Sequence, residues 1–558
     1  MKIIECVPNF SEGRNLNIIN LITDSIKSIS GITLLDVDSG ADTNRTVVTI
    51  VGSPEDVINA AFKGIQKASE LIDMRLHTGA HARMGATDVC PLIPISNSTM
   101  EECIEYSNIL AQRVGNELNI PIFLYEESST SKFRTNLANI RSGEFEGLVE
   151  KLKISKWKPD YGPAKRHISA GVTAIGARKF LIAYNVNLNT QDKRIATDIA
   201  LDIREQGRNK RDKNGKFIRD KEGTPIKALG ILKSCKAVGW YIDEYKLAQV
   251  SMNLTDFSIT SPHVAFEEIR KQSRKKGVRV SGSELVGLIP LEAMLSAGKY
   301  YLKKQHRSIG IPTSDIIHIA VKSMGLDDLE PFDPKKNIIE YRIKDLYGPL
   351  ASMKLHSFVD DLSSGSPVPG GGSVAAIAGT LAASLAAMVA NLTFGKKKWD
   401  PLYEKMCSIS DESQSLKKDL LNLIDDDTKS FKRVLGAYRM SKDTENQISL
   451  RNKAILNSLK EASNIPFKTL QCCSEVINYA KDAAEYGNPN SVSDAGVAAE
   501  MANAGARGAA LNVIINLNEI DDDKYCNKLE KHTYKLVKET ENTLALVRKI
   551  VFKKIGRE

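Results

Sequence analysis

Hydrophobic positions follow two grammars along the chain. Up to about residue 343, short runs rich in β-branched and large apolar residues predict strands at Lys2–Val7, Ile32–Val37, Thr46–Val51, Pro121–Leu124, Phe180–Val186 and Ala248–Leu254. Between them Leu16–Ser28, Pro54–Ile72 and Met100–Leu118 have the spacing of amphipathic helices. This mixture predicts α/β layers. The run GARKFLIAYNVNL (Gly176–Leu188) reads as a strand opening a second layered unit, which puts a subdomain boundary near residue 180. After a short connection at Lys344–Ser352 the pattern changes. From Leu355 onward helical periods continue with few Gly or Pro outside two loops and no convincing strand, so the second half is expected to be an all-α bundle and a separate domain.

Size supports several cores, because 558 residues exceed what one hydrophobic core fills and imply ~3 to 4 domains or subdomains. The formal charge of +9 suits acidic small-molecule substrates. Nucleic acid would require a concentrated basic face, which the sequence lacks. The 8 cysteines form no C-x-x-C pair, and a chain of this size needs no disulfide staples, so free thiols in a reducing, cytoplasmic compartment fit best. MKIIECVPNF at the start is too polar for a signal peptide.

Ser373–Leu392 is 20 residues without a charge, the length of a membrane span. It is rich in alanine, with Gly, Ser, Thr and Asn interspersed, and small residues let helices approach closely in any bundle. A buried helix is the expectation, with no membrane partner. Asn209–Lys233 is a polar insertion carrying Lys210, Arg211, Lys213, Lys216, Arg219, Lys221, Lys227 and Lys233 against Asp212, Asp220 and Glu222. Asn214-Gly215 is a hairpin signal, and Lys216–Arg219 after it is strand-like. The insertion reads either as a solvated surface hairpin or as a cationic flap over an acidic ligand.

Candidate chemistry is densest at HTGAHARMGATDVCP (His77–Pro91). His77 and His81 are four apart, which suits a metal only on a helix, and Gly79 and Gly85 argue for a loop. No third ligand is evident, so no metal is expected. The remaining readings are a structural histidine or a general acid–base, with Arg83 and Asp88 near enough in sequence to orient an anion and the imidazole.

In the second half, SGSPVPGGGSVAA (Ser364–Ala376) puts Gly370, Gly371, Gly372 and Ser373 directly before a helix. This is either a tight turn or a helix start whose free N–H groups face an anion. Downstream, Leu416, Leu420, Leu423, Ile424, Phe431, Val434, Leu435 and Tyr438 form one apolar stripe on a helical wheel. Asp427 lies within that stripe, Asp425 points to the opposite side and Asp426 lies off it. A buried carboxylate either bonds to a neighbouring backbone group or Lys, or acquires a raised pKa useful for proton transfer.

Several blocks resemble a known family. ECVPNFSEGRN (Glu5–Asn15), LLDVDSGADTNRTV (Leu34–Val47), the His77–Pro91 block and GARKFLIAYNVNL are similar, in order, to the formiminotransferase domain. P-x-P-G-G-G-S, NLTFG (Asn391–Gly395), I-D-x-D, GN-x4-SD (Gly487–Asp494) and LNVIINL (Leu511–Leu517) are similar to the cyclodeaminase/cyclohydrolase domain. The chain thus resembles the formiminotransferase-cyclodeaminase family over nearly all its length.

The resemblance implies an N-subdomain at 1–180, a C-subdomain at 181–343, a linker at 344–352 and a cyclodeaminase domain at 353–558. It implies transfer of a formimino group from formiminoglutamate to tetrahydrofolate as co-substrate, then cyclisation to 5,10-methenyltetrahydrofolate with loss of ammonia. Alternatives are a cyclohydrolase-like second domain, or a folate-binding scaffold with dead sites. The catalytic residues would be His81 and Asp427, the second Asp of I-D-x-D. Folate would meet Gly162, Pro163, Ala164, Lys165, Arg166, His167, Ile168, Ser169, Ala170 and Gly171, whose interior differs from the aromatic-containing form of vertebrate members. Asp38, in the D-V-D block, would fix the imidazole tautomer or serve only as a surface cap. Cellular folates are polyglutamylated, and members of this type form ring-like homo-oligomers.

Overall fold

Residues 2–79, 82–343, 348–395 and 397–557 are described by the structure, a computed structural model. They form two compact units, Met1–Ala293 with Met324–Lys344, and Met294–Ser323 with Asp345–Glu558.

The first unit contains two main sheets. One holds β1 (Ile3–Cys6), β2 (Asn9–Phe10), β3 (Ile32–Gly40), β4 (Arg45–Gly52), β5 (Thr87–Ser96), β6 (Ile122–Leu124) and β7 (Thr173–Ala177). β1 and β2 follow one another between β4 and β5 and act as one interrupted strand, with β3 on the far side of β4. β7 pairs in parallel with both β5 and β6. Against this sheet pack α1 (Leu16–Lys27), α2 (Pro54–Leu71) and α3 (Met100–Glu117), which bury Ile22, Ile26, Ile65, Leu110 and Val114 against Ile4, Phe10, Ile50 and Leu92. Ser53 caps α2 through the Asp56 N–H, and Thr99 with Glu102 forms a capping box on α3, so the sequence itself sets where both helices start. Two short helices, α4 (Leu137–Arg141) and α5 (Glu144–Lys151), precede β7.

β8 (Ile182–Leu188) belongs to the second sheet, so the chain changes sheets within 178–181. That sheet is antiparallel in the order β11 (Cys235–Ile242), β12 (Leu247–Leu254), β8, β13 (Val280–Val286), and α6 (Lys193–Ile203) and α7 (Pro262–Lys275) pack on it. Between α6 and β11, β9 (Arg208–Asn209) pairs with β10 (Lys227–Ala228), closing off the basic insertion. Inside the insertion, R-D-K-x-G occurs twice, at Arg211 and Arg219, and folds the same way twice. Asp212 and Asp220 each accept two backbone N–H groups, and Gly215 and Gly223 take φ of 81° and 82°. Lys216–Arg219, expected to be strand-like, contributes only isolated bridges.

After β13 come α8 (Leu291–Lys304), α9 (Thr313–Met324), α10 (Pro334–Asn337) and α11 (Ile339–Arg342). The remainder is helical: α12 (Leu355–Leu362), α13 (Gly371–Asn391), α14 (Tyr403–Tyr438), α15 (Glu445–Tyr486), α16 (Val492–Leu517) and α17 (Asp523–Lys554). The uncharged segment is α13, which alone among the described helices has the length and apolarity to cross a membrane. Its alanines Ala375, Ala376, Ala382, Ala383, Ala386 and Ala387 are buried, and it packs on α14, α15 and α16. A Cβ at Gly379 would stand 2.7 Å from Cys473 Sγ, so the small residues permit this close approach. The apolar stripe of α14 is only partly covered. Leu416, Leu420, Leu423, Ile424 and Val434 are buried, whereas Phe431, Leu435 and Tyr438 are exposed, contrary to the helical-wheel expectation.

Candidate active sites

The histidine block meets the Gly162–Gly171 segment through backbone hydrogen bonds. Val172 N donates to Met84 O, Ala86 N to Ala170 O, and Met74 N to Ser169 O. Gly85 is required there, because a Cβ would lie 2.1 Å from Val172 O. Within the segment, His167 and Gly171 exchange backbone hydrogen bonds, and Ala170 N donates to His167 Nδ1 at 3.0 Å. Partial burial lowers the pKa of that imidazole. Arg166 donates to Phe145 O and lies over the Phe145 ring. Pro163, Ala164, Lys165 and Ile168 are exposed at the rim, whereas Ala170 and Gly171 are buried.

His81 lies outside the described residues. His77 does not, and its ring is held without help from Asp38. Nε2 lies 2.9 Å from Asn44 O, so the imidazole donates there and turns Nδ1 toward Arg83 Nε at 3.4 Å. Asp38 sits exposed on the edge strand β3, opposite Val47. Asn44 is the residue the sequence reading missed. Its side chain accepts from Gly13 N and donates to Thr78 O, tying three loops together. Asn44 has φ of 49°, a left-handed conformation that Asn tolerates better than most residues.

Arg83 and Asp88 also have partners other than those expected. Arg83 is ion-paired to Glu144 at 2.5 Å and Glu146 at 2.7 Å, so its charge is already matched. Asp88 is almost fully buried, accepts from Met84 N, and is gripped by Arg141 Nε and Nη2 at 2.9 and 2.5 Å, with Arg45 at 3.6 Å. Burial pushes the Arg45 pKa down to about 10, partly opposed by Asp88. Asp88 therefore anchors the loop.

In the helical unit, blocks far apart in sequence converge. α13 starts at Gly371, with Gly370 as its N-cap residue, so Ser373 presents a free N–H in the first turn. The Asp427 carboxylate on α14 takes hydrogen bonds from that N–H and from the Ser373 hydroxyl, and Asn512 on α16 lies beside Gly371. The hydroxyl also lies 2.8 Å from Ile424 O, and its single hydrogen serves one acceptor at a time, which leaves the backbone N–H as the constant donor. Burial raises the Asp427 pKa, and the two Ser373 contacts partly offset this. The result is a half-buried carboxylate at a helix N-terminus, with a pKa raised from its ordinary value.

Asp425 does not point to the opposite, open side as the wheel implied. It is 4% exposed and accepts Leu350 N at 2.9 Å and Ala351 N at 3.0 Å, because α14 is covered on that side by the segment after Gly348. The other two family blocks lie together at the far end of α13, where Asn488 N donates to Thr393 Oγ1 and Asn488 Nδ2 to Leu392 O.

Gly372 explains the glycine run. A Cβ there would fall 2.1 Å from Asp427 Oδ1. Gly372→Ala is expected to push the carboxylate off the helix terminus and lower any activity of this site at least ~10²-fold, given the rate cost of a displaced catalytic group. Chemistry of the first unit would be unchanged. Assay of both units on one preparation checks this, and full retention would remove Asp427 from the site.

An α/β unit with a histidine loop against a glycine-bounded segment, followed by a bundle with a carboxylate on a helix start, defines a two-site enzyme class. Family models match across the chain: the N-terminal subdomain of the formiminotransferase domain at 3–178, the formiminotransferase domain at 183–344, and formiminotransferase-cyclodeaminase at 354–535. The formimidoyltransferase-cyclodeaminase of Dictyostelium discoideum is 43% identical over 554 residues, 99% of each chain. A glutamate formimidoyltransferase of Streptococcus pyogenes is 47% identical over 302 residues, 54% of this chain and 94% of that one. A methenyltetrahydrofolate cyclohydrolase of Methylorubrum extorquens is 40% identical over 185 residues, 33% of this chain and 89% of that one. The chain belongs to the formiminotransferase-cyclodeaminase family.

Proposed function

We propose that the first unit moves the formimino group of N-formimino-L-glutamate to N5 of tetrahydrofolate, and that the helical unit closes the product to 5,10-methenyltetrahydrofolate with loss of ammonia. In the first step N5 attacks the amidine carbon and loses its proton, and the glutamate nitrogen gains a proton as it leaves. His81 serves as base and then as acid, in the sequence block whose described residues His77 and Asp88 are fixed by Asn44 and by Arg141 and Arg45. In the second step N10 attacks the formimino carbon. The Asp427 carboxylate takes the N10 proton and returns it to the nitrogen that departs as ammonia. The observation that carries this reading is Asp427 at the α13 terminus, a single carboxyl with a raised pKa and room for one proton.

The test is one assay on purified protein with tetrahydrofolate and formiminoglutamate, following glutamate, ammonia and the methenyl chromophore together. Glutamate without ammonia would refute the second activity. Hydrolysis of supplied methenyltetrahydrofolate without ammonia release from the formimino compound would favour the cyclohydrolase reading.

The protein acts in the cytoplasm as a ring-like homo-oligomer. Free thiols throughout support the compartment. The open face of α13 supports the assembly: Val374, Leu381 and Met388 are exposed, with no charge anywhere on the helix, and Leu392 is exposed at its C-cap. A second copy offers the same uncharged stripe.

The tandem hairpin turns read the polyglutamate tail of the folate. Supporting this, Lys213, Lys216 and Lys221 are exposed on the insertion, and Lys210, Arg211 and Lys227 line a cavity of about 590 Å³. Replacing Lys213, Lys216 and Lys221 with Ser is expected to weaken binding of polyglutamylated tetrahydrofolate several-fold more than the monoglutamate. The difference should shrink as salt rises, because exposed charges are screened. Equal weakening of both forms would count against the tail.

A further inference from the structure

Lys151 is buried, and no carboxylate is among the hydrogen-bond partners of its Nζ in the described residues. Its Nζ instead donates toward four acceptors at the end of α4: Asn139 O at 3.2 Å, Ile140 O at 2.6 Å, Ser142 O at 2.8 Å and Ser142 Oγ at 3.2 Å. The Trp157 ring covers it at 3.9 Å. The last carbonyls of a helix have no N–H partners further along, and a cation there satisfies several at once. Burying an ammonium without a counter-ion is costly, so its placement calls for an explanation beyond solubility.

The explanation lies in what the two short helices hold. α4 ends in Arg141, whose guanidinium grips Asp88, and Asp88 in turn fixes Met84 N. α5 begins with Glu144 and Glu146, which pair with Arg83, and Phe145 N donates to Arg83 O at 3.0 Å. The segment 137–151 is thus a bracket that seizes residues 83–88 at several points, and Lys151 closes it by fastening the end of α5 back onto the end of α4. The turn between the helices gives no such rigidity, since Gly143 sits at φ of 84° with no side chain.

We infer that Lys151 is a positioning residue for formimino transfer, acting through the α4–α5 bracket on residues 83–88 of the histidine loop, which follow His81 in the sequence. The inference rests on the proposed role of that loop.

Lys151→Met keeps the apolar stem and removes the donors. It is expected to lower kcat for glutamate release roughly 10- to 100-fold, as expected when a catalytic loop moves by about 1 Å, with KM for both substrates changed less than about threefold. Cyclisation of supplied 5-formiminotetrahydrofolate by the same protein should stay at the unmodified rate. Arg141→Met should give a similar loss. The double variant should fall no further than the deeper single one, because both changes open the same bracket.

Unchanged kcat in Lys151→Met, multiplying losses in the double variant, or a parallel fall of both activities would each overturn the inference. If Lys151→Met does not fold, Arg141→Lys tests the same linkage, since it keeps the charge but gives up the two-pronged hold on Asp88. Full kcat in that variant would overturn the inference too. Failure of the unmodified protein to release glutamate would instead refute the proposed function.

Discussion

Asp427→Asn is expected to stop ammonia release, lowering it ~10²–10⁴-fold, the usual cost of losing a proton-transfer group, while glutamate release continues. Asn has nearly the same shape and can still accept from Ser373 N, so the helix start should stay closed. What it cannot do is take a proton from N10 and give it back. Asp425→Asn is the control, and its expected phenotype is of another kind. Each Asp425 oxygen receives one backbone N–H, from Leu350 and Ala351, and an amide has one oxygen only. One buried N–H loses its acceptor, at a cost of about 1–3 kcal/mol. A lower melting temperature with near-normal activity per folded molecule is the expected outcome. Equal loss of turnover in both variants, per folded molecule, would contradict the assignment.

The same carboxylate is expected to set a pH dependence. Its pKa is raised, so protonation sets in at a higher pH than for an ordinary Asp. Cyclodeamination in the unmodified protein should therefore decline, as pH falls, earlier than an exposed carboxylate would dictate. A rate profile on supplied 5-formiminotetrahydrofolate measures this.

His81→Ala is expected to abolish glutamate release and leave cyclisation largely intact. The transfer step needs a base and then an acid near neutral pH, and one imidazole can serve as both. His77 is a poor substitute because its ring is engaged by Asn44 O and Arg83 Nε. Arg83 and Asp88 are committed to ion pairs. Loss should reach ~10²-fold or more, read as glutamate formed per enzyme under saturating substrates. Equal loss of both activities in a folded variant would defeat the two-site reading.

Periodicity revealed the elements whose pattern is local. Strands such as β3, β4 and β8, and helices α1 to α3, lie within a few residues of their expected positions because runs of β-branched residues and helical spacing are local signals. β5 escaped notice although it lies inside the larger sheet, since TDVCPLIPIS contains Pro91 and Pro94, which normally exclude a strand from the interior. The sheet accommodates Pro94 at an irregular register against β1, and Pro91 uses its carbonyl to accept Val7 N. The wheel for α14 assumed a single buried face, whereas that helix is enclosed on two sides. Asp427 consequently lies beside the apolar stripe against the start of α13, and Asp425 is the more buried of the two. Nothing local announced that Asn44, 33 positions earlier, would hold His77, because long-range loop contacts leave no period in a sequence.

The pair of hydrogen bonds on Asp425 also determines how this protein can be divided. By composition the helical half begins at Leu355, and a fragment cut there looks self-contained. Such a fragment would lack Leu350 and Ala351, leaving a buried carboxylate on α14 two residues from Asp427 with no donors. It would also lack Met294–Ser323, which belongs to the same compact unit. A cut at the change in composition is therefore expected to loosen the helical unit, because two of the donors that hold α14 beside Asp427 are encoded upstream of Leu355.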